Sequence, residues 1–153
     1  MSERIKTAAL RDFSVSLCRA AGLSADDAAL LTDSILFAEC RGVTSHGLLR
    51  LPQYIARLRS GATASNVPMP FTMESGGTAR LDAQNGLGQL AGRKASDKAE
   101  ELAAEYGVSF VAVANSNHFG TGAWYAIPAA RRGFFAFNIS SAASAMAQAF
   151  ATP

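Results

Sequence analysis

The chain has few of the residues that staple, ligate or anchor a protein. Two cysteines, two histidines and one tryptophan stand among 153 residues. Cys18 and Cys40 are too few for a disulfide framework, and no CxxC or Cys/His cluster points to zinc, so no metal is expected. Both lie in apolar, helical-looking stretches and are expected as reduced core residues, which suits a cytoplasmic protein. No apolar run is long enough to cross a bilayer. Met1-Ser2-Glu3-Arg4 leads into an amphipathic segment rather than the apolar core of a signal peptide. The expectation is a soluble, intracellular protein with no membrane partner. An excess of one charge is also lacking. Fourteen basic residues meet twelve acidic ones, giving +2, and their scatter speaks against nucleic acid. Arg131-Arg132 reads as a solvated pair at a helix C-terminus. No GxSxG elbow or Ser/His/Asp pattern supports a hydrolase. There is no internal repeat. What is present is 49% apolar and 17% charged residues, the composition of a globular core.

Helical periodicity dominates the first part. Ile5, Ala9, Phe13, Leu17 and Ala20 predict a helix over 3–21, stopped by Gly22. Ser24 is a good N-cap, with Asp26 and Asp27 suiting the first turn of a second helix. That helix carries Ala28, Leu31, Ile35 and Ala38 to about Cys40. A third holds Leu51, Ile55 and Leu58 and closes at Gly61. Residues 61–70, with Gly61, Pro68 and Pro70, read as a linker. Beyond it the pattern alternates: a strand at Thr78–Asp82, a helix at Gln89–Tyr106 and a fully buried strand at Val108–Ala114. A helix follows at Thr121–Arg132, which Pro128 would kink or delay, then another apolar strand at Phe134–Ile139. This order predicts parallel pairing.

Both histidines fall in loops beside glycine. The first is in Arg41-Gly-Val-Thr-Ser-His-Gly-Leu-Leu-Arg50. Pro52 suits a first helical turn, so His46 lies at or just before the third helix. If the turn is helical from there, His46, Arg50 and Tyr54 share one face. Arg50 could grip a carboxylate bidentately at that N-terminus, and His46 could exchange a proton near neutral pH. That suits a small 2-oxo or 2-hydroxy acid; a capping histidine beside a surface ion pair is the alternative. The second is in Ala114-Asn-Ser-Asn-His-Phe-Gly-Thr-Gly122, directly after a strand and before a helix, where α/β sites form. Asn115 and Asn117 could orient an amide or phosphate, or the segment is a hydrogen-bonded turn. Gly86-Leu-Gly-Gln-Leu-Ala-Gly92 follows a strand and opens a helix as a dinucleotide loop does. Its GxGxxxG spacing, with no acidic ribose ligand after the next strand, favours a tight turn and close helix packing. Ser140, Ser141 and Ser144 could bind phosphate or ribose, or simply turn the chain.

Taken together, the segment Arg41–Tyr54, the Gly61 and Pro68 spacing, Gly86-Leu-Gly-Gln and above all Asn115-Ser-Asn-His-Phe-Gly120 resemble the non-Rossmann malate/L-lactate dehydrogenase family. That group includes L-sulfolactate and ureidoglycolate dehydrogenases, diketogulonate reductase and piperideine-2-carboxylate reductase. The resemblance runs through essentially the whole chain. It implies an α/β fold: a helical N-terminal region (1–70), then the first part (71–153) of a mixed-sheet α/β/α nicotinamide-binding domain that is not a Rossmann fold. It implies hydride transfer between NAD or NADP and a 2-oxo/2-hydroxy acid or cyclic imine acid. His46 and His118 match the two active-site histidines, with the proton role left shared. Arg50 matches the carboxylate partner, and Ser45 and Tyr54 match other substrate-pocket residues. His46, Asn117, His118, Phe119, Gly120, Ser140 and Ser141 match cofactor contacts. A homo-oligomer, a dimer, is implied, as is a C-terminal half that completes the fold. Thr44 stands where an Asp is usual and Ser141 near where an Asn is usual. No Pro-x-Gly-Gly segment is recognisable in Met146–Pro153. A non-catalytic association module, or one piece of a split enzyme, is the alternative.

Overall fold

The computed structural model describes residues 5–140, with the backbone alone for Met73 and Glu74. Helix α1 spans Thr7–Ala20 and α2 spans Ala25–Glu39. Between them Gly22 turns at φ +100°, a conformation glycine adopts without a Cβ clash. Ser24 caps α2 as expected, accepting the Asp27 N–H at 3.1 Å. α1 faces the core differently from its most apolar stripe. Ser14 and Cys18 are buried while Ile5 and Phe13 are exposed, because the row one position further round the helix meets α2. Cys40 departs from expectation too: it sits exposed at the end of α2, where the helix leaves the core.

The third helix starts later than the His46–Tyr54 spacing suggests. Two single 3₁₀ turns, Thr44–His46 and Leu48–Arg50, precede α3 at Leu51–Arg59. Gly47 separates them, and a Cβ there would overlap the Glu39 carboxylate, whose oxygen accepts the Leu48 N–H at 2.9 Å. His46 therefore does not lie on a helical face with Arg50 and Tyr54. Leu31, Ile35, Leu51, Tyr54 and Leu58 form the helical core together with Cys18 and Leu87. Each fully buried leucine contributes about 1.5–3 kcal/mol.

The sheet has three strands: β1 (Phe71–Ser75), β2 (Thr78–Asp82) and β3 (Phe110–Ala114). β1 pairs antiparallel with β2, which pairs parallel with β3 from Thr78↔Phe110 to Asp82↔Ala114. The pattern missed β1, although Gly76-Gly77 between two runs of extended residues is a hairpin signal. Helix α4 (Gly88–Tyr106) joins β2 to β3 and ends on Gly107 at φ +82°. Leu81, Ala83, Ala91 and Ala95 make a second core, and Leu90 packs against both. The 61–70 segment is irregular but carries the buried Thr63 and Met69.

Two strand expectations need correction. β3 is not fully buried: Phe110 is 64% exposed, and Val108 lies outside the strand. It pairs with β2 on one side only among the described residues. Phe134–Ile139 is not a strand; Phe135 is 95% exposed and Phe137 and Ile139 are also open. An apolar run becomes a strand only where a neighbouring strand takes its backbone hydrogen bonds; here the Phe134 N–H closes the end of the preceding helix on the Ala129 carbonyl at 3.1 Å, and no described strand pairs with 134–139. Helix α5 (Ala123–Arg131) contains Pro128 within it. No helix among the described residues is long and apolar enough to cross a membrane.

Candidate active site

The two histidines, 72 positions apart in sequence, meet with ring centroids 5.2 Å apart. His46 arrives on the first 3₁₀ turn, with its Nδ1 3.0 Å from the Ser45 hydroxyl. His118 arrives on the loop after β3, at the carboxyl end of the parallel pair, where α/β folds place ligands. Arg50 stands beside them. Its Nε donates to the Ser45 carbonyl at 2.8 Å and its Nη1 to Gln53 at 3.0 Å.

Tyr54 comes up from α3 and is buried, with its hydroxyl 2.7 Å from His118 Nδ1. Gln89 Nε2 donates to that hydroxyl at 2.7 Å. Burial pushes the Tyr54 phenol above its ordinary range, so it remains protonated. Burial, followed by the positive charge of Arg50 and the neighbouring His46, holds His118 below the usual histidine value. Periodicity did not single out Gln89; its one signal was a long polar side chain in an apolar helix start.

Asn117 ties the loop down. Its side-chain Oδ1 accepts from Arg57 Nη2 at 2.8 Å, and its Nδ2 donates to the Asn85 and Gly86 backbone carbonyls, each at 2.9 Å. The Gly86–Gly92 segment packs closely, as its spacing favoured. A Cβ on Gly88 would overlap the Asn117 and His118 carbonyl oxygens, and one on Gly92 the Tyr125 ring. Tyr125 is buried, stacks on Phe119 with centroids 5.5 Å apart, and donates to the Phe119 carbonyl. Gly120 is buried at φ +80°, and its N–H lies 3.3 Å from His118 Nδ1. Asn115, at φ +52°, donates to Asp82 at 3.0 Å. Ser140 is exposed. Ser141 and Ser144 lie outside the described residues.

His46, His118, Arg50 and Tyr54 thus converge, with Ser45, Asn117, Phe119 and Gly120 holding their loops. Residues 5–153 match the malate/L-lactate dehydrogenase family. The chain belongs to that family. It is 34% identical over 138 residues to malate dehydrogenase of Pyrococcus abyssi, covering 90% of this chain and 38% of that one. L-sulfolactate dehydrogenase of Methanocaldococcus jannaschii is 36% identical over 126 residues, covering 82% and 37%. Among solved structures, malate dehydrogenase from Pyrococcus horikoshii superposes with a TM-score of 0.82 at 32% identity, covering 86% of this chain and 38% of that one. The chain spans well under half the length of these family relatives. Their names describe oxidoreductases of 2-hydroxy acids. Like this chain, the solved family folds contain the helical region and the small mixed sheet.

Proposed function

We propose that the protein carrying this chain transfers a hydride between a nicotinamide cofactor and a 2-oxo/2-hydroxy acid. The observation that carries this reading is the convergence of His46 and His118 beside Arg50 on the open side of the loop after β3. The donor set fits. Reduction of a 2-oxo acid places negative charge on the carbonyl oxygen, and an imidazole is the side chain suited to supply its proton near neutral pH. The carboxylate calls for a cation, and Arg50 Nη2 has no hydrogen-bond partner among the described residues. NAD or NADP supplies the hydride when bound. The rest falls to the chain: Arg50 holds the carboxylate, His46 and His118 address the oxygen, Ser45 lines the pocket, and Phe119, Gly120 and Ser140 border the nicotinamide side, with Ser141 carried as a cofactor contact on the family resemblance alone. Residues 1–70 form the helical region, and 71–153 begin the cofactor-binding domain.

The same reading places the protein in the cytoplasm as a homodimer. The exposed Phe110, Phe135, Phe137 and Ile139 support association, because large apolar patches are rare on stable monomers. They also favour the second reading, an association module without catalysis. Steady-state oxidation of NADH and of NADPH with pyruvate, oxaloacetate and 3-sulfopyruvate separates the two. Turnover with one of these acids is expected. No turnover with any, together with no quenching of tryptophan fluorescence by either dinucleotide, rejects the dehydrogenase in favour of the module.

A further inference from the structure

We propose that Gln89, Tyr54 and the Gly120 amide form a one-way relay that holds His118 in the tautomer with its proton on Nε2, making Tyr54 a positioning residue that acts through His118. The inference deepens the dehydrogenase reading and rests on it for the importance of His118, but not for the geometry.

The direction of the relay follows from the one donor that cannot change. The Gly120 backbone N–H can only donate, and it lies 3.3 Å from His118 Nδ1. That nitrogen must therefore present its lone pair. The Tyr54 hydroxyl, 2.7 Å from the same Nδ1, then has to donate to it as well. Its oxygen is left to accept, and Gln89 Nε2 donates to it at 2.7 Å. A rotated Gln89 amide would reverse the relay and require a proton on Nδ1. That proton would face the Gly120 N–H, donor against donor. The neutral ring consequently carries its hydrogen on Nε2, which has no hydrogen-bond partner among the described residues.

Two consequences follow. The Nε2–H is free to donate to a substrate oxygen, with the ring turned and locked from behind by a buried phenol. Proton transfer through His118 first requires a proton on Nδ1, against two donors of which one is fixed backbone. Among the described residues, the ionisable groups facing His118 are Arg50, His46 and Tyr54. Arg50 disfavours the imidazolium, as burial does, and His46 acts in the same direction. The relay adds a geometric cause, because hydrogen bonds to the neutral form disfavour the charged one.

¹⁵N NMR of the histidine side chains, with pH titration, tests this without substrate or cofactor. The chain has only two histidines, and His46→Gln assigns them. His118 should show an unprotonated Nδ1 and a protonated Nε2. Tyr54→Phe should raise its titration midpoint by about one pH unit, the size of one modest hydrogen bond, and let the second tautomer appear. Gln89→Met, which leaves the Tyr54 hydroxyl in place, should produce a smaller rise in the same direction and decides the matter if Tyr54→Phe does not fold. A proton on Nδ1 in the unaltered protein, or an unchanged midpoint in a folded variant, overturns the relay. If the NMR signature holds while no 2-oxo acid is reduced, the dehydrogenase reading fails and the relay stands. If reduction occurs with His118 in the other tautomer, the relay fails alone.

Discussion

Arg50 is oriented before any acid binds. Its Nε is committed to the Ser45 carbonyl and its Nη1 to Gln53, so little side-chain freedom remains to be lost on binding. Arg50→Ala should therefore act chiefly on substrate affinity, raising KM for the 2-oxo acid by the equivalent of about 2–5 kcal/mol if the pair is sealed from water, with a much smaller effect on kcat. The histidines should behave oppositely. Replacing the one that delivers the proton should lower kcat by roughly 10²–10⁴-fold. Steady-state kinetics of Arg50→Ala, His46→Gln and His118→Gln against one reducible acid check both statements. Retention of full turnover by both histidine variants would remove the assignment. These residues were singled out in the sequence by their place in short loops beside glycine, with a cap or a turn as the alternative at each. Gln89 was not, since a buried glutamine announces itself only through the hydroxyl it touches.

At the scale of elements, the site depends on how closely α4 begins beneath the loop after β3. A Cβ on Gly88 would overlap the Asn117 and His118 carbonyl oxygens, which are backbone and cannot swing aside. Gly88→Ala should cost about 1–3 kcal/mol in urea unfolding and perturb the His118 resonances. Gly107→Ala, at the far end of α4 where φ is +82° and nothing lies near, should cost about 1–2 kcal/mol for the left-handed backbone and leave His118 undisturbed. Equal effects of the two on His118 would contradict this division. The strand ends are joined by Asp82, which accepts the Gln84 N–H at 2.9 Å and Asn115 Nδ2 at 3.0 Å. The Gln84 amide, then Asn115, holds its carboxyl below the usual aspartate value. A depressed folded-state value stabilises the fold above the ordinary aspartate range, and that stability is lost as pH falls through the folded value. The exposed position keeps the effect small. Asp82→Asn should be less stable than the parent at neutral pH, with the gap closing as acidification carries the pH below the ordinary aspartate range. A gap that widens on acidification would show the sign to be wrong.

For the whole molecule, the uncovered apolar surface is the governing feature. Phe110, Val113, Phe135, Phe137 and Ile139 are all exposed, and β3 has a ladder on one side only among the described residues. Such an edge invites further backbone pairing. A dimer or larger species is expected in light scattering, and Phe135→Asp with Phe137→Asp should shift it towards monomer without disturbing the helical core. A parent that is monomeric at high concentration would count against this. The same surface explains why one expected strand formed without being buried and the other did not form. Val108–Ala114 and Phe134–Ile139 read as buried because their residues are apolar, whereas burial is decided by what lies opposite them.

The sequence alone determined the helices, the parallel β2–β3 pair, the α4 start and stop, and the two histidine loops. Each is written in local terms: a period of apolar residues, a capping Ser24, a left-handed Gly107. Only the tertiary structure decided that His46 and His118 lie 5.2 Å apart and that Tyr54 reaches His118 rather than sharing a helical face with His46. Local patterns carry no information on which turn meets which across 72 positions. That meeting depends on Gly47 breaking the helix against Glu39, on Gly88 admitting the loop, on the packing of α2 against α4 and on the Gln89–Tyr54 hydrogen bond between α4 and α3. Which face of α1 is buried was settled the same way, by the partner helix and not by the apolar stripe.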